Sequence, residues 1–123
     1  MPDTRAIALA WSLGRAAIGV AITAAPVTFT RGWLGADAER PGARLVSTSV
    51  GARDLALGLG AAAALRNGDS ARAWLIGCAL ADAADFVATL RAHGDIPRSG
   101  LIGVGALAGG TAALGAWLAT AID

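Results

Sequence analysis

The sequence predicts an all-α protein, a transmembrane up-and-down four-helix bundle. Four apolar segments each approach the roughly 20 residues needed to cross a bilayer. Charged residues make up only 15% of the 123 residues, against 55% hydrophobic ones. The connections after the second and third segments are short, which makes successive helices antiparallel. A water-soluble bundle of this size needs a charged face on every helix. Here the outer faces are Ala, Leu, Gly and Val, and the mean hydropathy is +0.58.

Taken in order, the segments form one domain. The first covers about 4–25 and stops at Pro26, because proline disfavours helix at the residue before it. The second covers about 43–66 and ends on Arg66, Asn67 and Gly68, a turn signal with a helix-terminating glycine. The third covers about 70–92, with Asp69 or Ser70 as its cap and His93-Gly94 as its stop. The fourth covers about 100–122, follows Pro97-Arg98, and has Ser99 as its cap. Arg15 interrupts the apolar stretch that a cleavable signal peptide needs, so the first segment is expected to remain as a helix.

The stretch from Pro26 to Gly42 is the longest connection. Phe29, Trp33 and Leu34 in a charged, Gly-rich setting suit an anchor at the headgroup level, where Trp is enriched. A lid over a cavity is the alternative. Arg31, Arg40, Arg44, Arg91 and Arg98 flank or occupy loops 1 and 3, whereas Arg5, Arg66 and Arg72 belong to the other side. The positive-inside rule then places loops 1 and 3 in the cytoplasm.

Composition excludes several classes of function. A formal net charge of +1 provides no basic stripe for nucleic acid. The single cysteine, Cys78, and the single histidine, His93, leave no ligand set for structural zinc, haem or thiol redox chemistry. No metal and no cofactor are therefore expected. All ten basic residues are arginine and Ala and Gly abound, which suggests a high-GC genome.

The informative residues are the charges inside the segments: Arg15 in the first, Arg53 and Asp54 in the second, Asp82 and Asp85 in the third. At 1.5 Å rise per residue, Arg15, Arg53, Asp54 and Asp82 all lie about 15 to 18 Å from the terminal side, with Asp85 about 4.5 Å further on. The hydrocarbon core is about 30 Å thick, so the set lies near its midplane. Each such charge costs about 2.5 to 3.5 kcal/mol on the insertion scale, whereas Leu, Ile, Phe or Val returns about 0.3 to 0.6. The charges must therefore turn inward and pair.

Asp82 and Asp85 are three apart and share a helix face. Arg53 and Asp54 are adjacent, point about 100° apart and do not face each other. One arginine, Arg15 or Arg53, is expected to bridge to the Asp82/Asp85 face while the other pairs with Asp54. Two arginines against three aspartates leave one carboxylate, Asp82 or Asp85, to carry a proton or meet a bound cation.

Cys78, Asp82, Asp85, Thr89 and His93 follow steps of three and four along the third segment, and Ser12 and Ser49 lie one turn from Arg15 and Arg53. Ser12, Ser49, Cys78, Thr89 and His93 are the candidates to line a cavity. The fourth segment has no charge after its start; Gly105 and Gly109 form a Gly-x-x-x-Gly pair for close helix contact, within the bundle or between protomers of a homo-oligomer. Trp11, Trp74 and Trp117 lie toward the terminal side, as an aromatic belt requires.

LGR in the first segment, GARDLALGLG in the second and DAADF in the third together resemble an uncharacterised family of small bacterial four-helix membrane proteins related to the DoxX-like group. The resemblance implies a four-helix fold and a location in the bacterial inner membrane, and brings no activity and no functional residues with it.

Three functional readings follow. The first is a non-enzymatic accessory protein or binder of a lipophilic ligand, in contact with the lipid bilayer. The second is a membrane-embedded isomerase or cyclase in which Asp82 or Asp85 is the general acid on a lipophilic substrate. The third is a proton- or ion-coupled transporter, for which four helices offer little room without oligomerisation.

Overall fold

A computed structural model describes residues 3–122. The described residues form α-helices and one 3-10 turn, without a strand: α1 (Thr4–Ala24), α2 (Pro26–Leu34), the turn Gly35–Glu39, α3 (Pro41–Arg66), α4 (Arg72–Arg91) and α5 (Arg98–Ala121). The four long helices begin and end within two residues of the predicted segments.

Local chemistry sets these ends. Asp3 caps α1, its Oδ1 accepting from the backbone N–H of Arg5 at 3.0 Å and of Ala6 at 3.3 Å. The end of α3 turns through Gly68 at φ +77°, where Asp69 N donates to the carbonyl of Ala64 at 2.9 Å. Ser99 does not cap α5: the helix starts one residue earlier, directly after Pro97, with no side-chain cap. For α4 the Ncap residue is Ala71, again without a side-chain cap, and Ser70 Oγ accepts from Arg72 N at 3.4 Å.

The stretch after Pro26 departs from the expected loop. It folds into a nine-residue helix with Pro26 at its start, a position where the missing N–H and fixed φ of proline suit the first helical turn.

Helices α1, α4 and α5 are long and apolar enough to cross a membrane by length and composition. The expected fourth span, α3, has the length, 26 residues, but is not among the candidate spans. Its run Ser47-Thr48-Ser49 and the pair Arg53-Asp54 lower its hydropathy. Large apolar side chains point outward on all four long helices, among them Ile18, Leu59, Leu80 and Leu107, each more than half exposed.

The helices associate as two antiparallel pairs. Along α1 and α3 the contact is backbone to backbone: a Cβ on Gly19 would collide with the backbones of Leu55 and Gly51, and one on Gly58 would lie 2.6 Å from the Ser12 carbonyl oxygen. Along α4 and α5, Gly109 lies against the Phe86 ring and Gly115 beside Ala79. The pairs converge at the terminal end, where Ala8, Ala64, Leu65, Ala71, Leu75, Leu118 and Ala119 form one apolar cluster. At the opposite end α2 is wedged between them. Gly100 of α5 sits against the carbonyls of Gly32 and Trp33, and Gly35 against the Pro97 ring.

Candidate functional site

Between the converged end and α2, the gap separating the two pairs is bridged by the five intrahelical charges. Arg15 extends from α1 to α4, where its Nη2 donates to Asp82 Oδ2, and its Nη1 donates to Asp54 Oδ1 on α3 at 3.1 Å. Arg53 on α3 grips Asp85 with both terminal nitrogens, Nη1 to Oδ1 at 3.1 Å and Nη2 to Oδ2 at 2.7 Å, a two-pronged guanidinium–carboxylate pair. The same Nη2 lies 3.3 Å from Asp54 Oδ1. Arg15 and Asp82 are buried, at 8% and 6% exposure, and the Arg53–Asp85 pair is less so.

Three expectations are corrected by this geometry. Both arginines, not one, reach the Asp82/Asp85 face, each taking one aspartate. Arg53 also touches its own neighbour Asp54. Their Cβ atoms diverge, as adjacent helical positions must, but the long guanidinium stem folds back to make the contact. The carboxylate without an arginine of its own is Asp54, not Asp82 or Asp85: its Oδ1 is shared between Arg15 and Arg53.

Arg15 also lies over Trp11, its Cζ 5.0 Å from the ring centroid, a cation–π contact one helical turn away on the same face. Trp11 therefore serves the interior, while Trp74 and Trp117 are 42% and 48% exposed.

Beside the cluster a cavity of about 540 Å³ opens between the pairs. Arg15, Asp54, Asp82 and Asp85 form its polar wall. Apart from Thr30 and Thr111 the remaining wall is apolar, with Trp11 and Ile18 from α1, Phe29 and Trp33 from α2, Val104 and Leu107 from α5. Its volume falls within the roughly 300 to 1,000 Å³ of ordinary small-molecule sites. α2 closes the end away from the termini. Trp33 Nε1 donates to Thr89 Oγ1 on α4 at 3.2 Å, and Ser47 Oγ of α3 donates to Thr30 Oγ1 of α2 at 3.4 Å. The segment expected as a headgroup anchor, with a lid over a cavity as the alternative, thus lines the cavity.

The five polar candidates are placed elsewhere. Ser12 is fully buried, at the contact of α1 with Gly58. Cys78 is fully buried in α4, and Thr89 holds Trp33. Ser49 and His93 are exposed and bond locally, Ser49 Oγ to the Leu45 carbonyl and His93 Nδ1 within 2.9 Å of the Leu90 carbonyl. None of the five borders the cavity. Gly105 is buried and Gly109 faces Phe86 of the same chain. Among the described residues no three His, Cys, Asp or Glu side chains gather as a metal-ligating group.

Sequence reasoning missed Trp11 and Thr30 as site residues and reached Trp33 only through the alternative of a lid over a cavity. For Trp11 a signal was present, its spacing of four from Arg15. For Thr30 and Trp33 it was the proline at the helix start. No family model, curated protein or solved structure matches the chain, so its function is read from the cluster and the cavity alone.

Proposed function

We propose that this chain is a small integral membrane protein, a four-helix bundle of the DoxX-like kind in the bacterial inner membrane, that binds a lipophilic molecule between its two helix pairs. The observation that carries this reading is the cavity itself: mostly apolar walls meeting one wall of charged groups. Such a site orients a ligand by a few polar contacts and holds it by apolar ones. The outward apolar side chains on every long helix support the membrane location, and the arginine excess supports cytoplasmic loops 1 and 3.

Binding without turnover is the reading favoured over catalysis by Asp82 or Asp85. Both carboxylates are held by arginines, so oxygens that a general acid would present to a substrate are engaged in ion pairs across the bundle. An enzyme reading gains support only at Asp54, whose second oxygen, Oδ2, has no hydrogen-bond partner among the described residues.

Native mass spectrometry of the protein extracted in mild detergent tests the proposal. A Cβ on Gly14 meets nothing within 4 Å and Gly14 borders the cavity, so Gly14→Phe fills the space without disturbing the α1–α3 contact. The wild type is expected to retain a lipophilic molecule that Gly14→Phe loses. Identical, unliganded masses for both proteins overturn the proposal.

A further inference from the structure

We infer that the molecule in the cavity is a lipophilic cation, an amine with an apolar tail. The inference rests on the ligand-binding reading above and adds the chemistry of the head group. Two arginines face three aspartates in the cluster, so with every group ionised it carries one negative charge in excess. The excess sits at Asp54, which shares a single oxygen with both guanidiniums and leaves Oδ2 without a partner among the described residues. Asp82 is similar: Oδ2 takes Arg15, and Oδ1 has no hydrogen-bond partner among the described residues.

Both carboxylates border the same cavity, so the open polar positions facing the ligand are acceptors. Every terminal guanidinium nitrogen of the cluster is engaged: Arg15 Nη1 on Asp54, Arg15 Nη2 on Asp82, and both terminal nitrogens of Arg53 on Asp85; the Nε atoms of Arg15 and Arg53 have no partner among the described residues but are buried. A carboxylate or phosphate head group would meet acceptors and an excess negative charge. An ammonium supplies donors and cancels the charge, in surroundings where an unmatched charge is costly.

A multivalent metal ion is a weaker match, because no three acidic side chains converge on one point among the described residues. The aromatic rings of Trp11, Phe29 and Trp33 also border the cavity, and aromatic faces attract organic cations. The nonpolar remainder of the wall accommodates the tail.

Competition in nanodiscs of zwitterionic lipid tests this. In a Trp74→Phe, Trp117→Phe background the remaining tryptophans, Trp11 and Trp33, both border the cavity, so their fluorescence reports occupancy. A bromine-labelled alkylamine serves as quenching probe, displaced by decylamine, decanol or decanoate at matched concentrations in the lipid. The expected result is quenching by the probe and displacement by decylamine at least tenfold more effectively than by decanol, with decanoate weakest. Asp54→Asn is expected to reduce the amine preference to under threefold.

Equal displacement by decylamine and decanol overturns the cation inference while leaving the ligand-binding reading intact. Absence of quenching by the amine probe overturns the cation inference too; a bromine-labelled alkanol that does quench then preserves the ligand-binding reading. Should Asp54→Asn not fold, the head-group series on the wild-type cavity decides the matter by itself.

Discussion

Arg15 on α1 and Asp82 on α4, 67 positions apart in sequence, form the buried ion pair that joins one helix pair to the other. With Arg53 and Asp85 beside them, they cross the gap between the pairs next to the cavity. Removing one partner of a buried pair strands the other charge and costs about 3 to 5 kcal/mol, whereas replacing both by apolar groups is often neutral. Arg15→Met is therefore expected to destabilise the protein by about that amount in detergent unfolding. Arg15→Met with Asp82→Leu is expected to regain more than half of the loss. Equal destabilisation by the single and double variants would show that the pair does not act as a unit.

Opposite outcomes are expected at two glycines of α1. Gly19 touches the α3 backbone, and a methyl group there has nowhere to go; overpacking of this kind costs roughly 1 to 3 kcal/mol. At Gly14 the same methyl group meets open space, and the gain in helix propensity from Gly to Ala is about 0.8 to 1 kcal/mol. Unfolding midpoints should fall for Gly19→Ala and hold or rise for Gly14→Ala. A fall of equal size at both positions argues against the close α1–α3 contact.

The hydrogen bond from Trp33 to Thr89 fixes α2 against α4. A net worth of about 1 kcal/mol is usual for such a bond. In Trp33→Phe and in Thr89→Val, hydrogen exchange of the α2 amides should rise several-fold, and combining the two should add little to either alone. Additive effects would mean that the two side chains act independently.

How much of this was legible in the sequence depends on what a residue's position specifies. Depth along a helix follows from counting, and the counts for Arg15, Arg53, Asp54 and Asp82 placed at one level residues that are in contact. Rotation about the helix axis and the packing partner of each helix do not follow from counting. The assignment of Arg53 to Asp85, and of Asp54 to a shared position, was therefore open.

The glycines at 51, 58 and 60 could be read as contact points, and they meet Thr23, Ser12 with Ala16, and Trp74 respectively. The α2 helix was hidden because Thr28, Thr30 and Gly32 lower helix propensity. It is held by tertiary contacts to Ser47, Thr89 and Gly100 that no local pattern encodes. The polar strip on α4 predicted the cavity only in part: Asp82 and Asp85 border it and Cys78, Thr89 and His93 do not, because helical spacing gathers residues on a side without saying whether packing or space lies opposite.

Sidedness is open to a labelling test. Ala36, Asn67 and Ser99 are exposed, and the native Cys78 is fully buried, which gives a low background. With loops 1 and 3 cytoplasmic, an impermeant maleimide applied to intact cells should label Asn67→Cys and spare Ala36→Cys and Ser99→Cys until the membrane is opened. The reverse pattern inverts the topology.

The most direct measurement is an experimental structure of the protein kept in its native lipids. The predicted result is elongated density between Ile18, Val104 and Leu107, ending in a head group at Asp54 and Asp82. Helix pairs closed against each other, with Ile18 packed on Val104 and no space beside the Arg15–Asp82 pair, would contradict it.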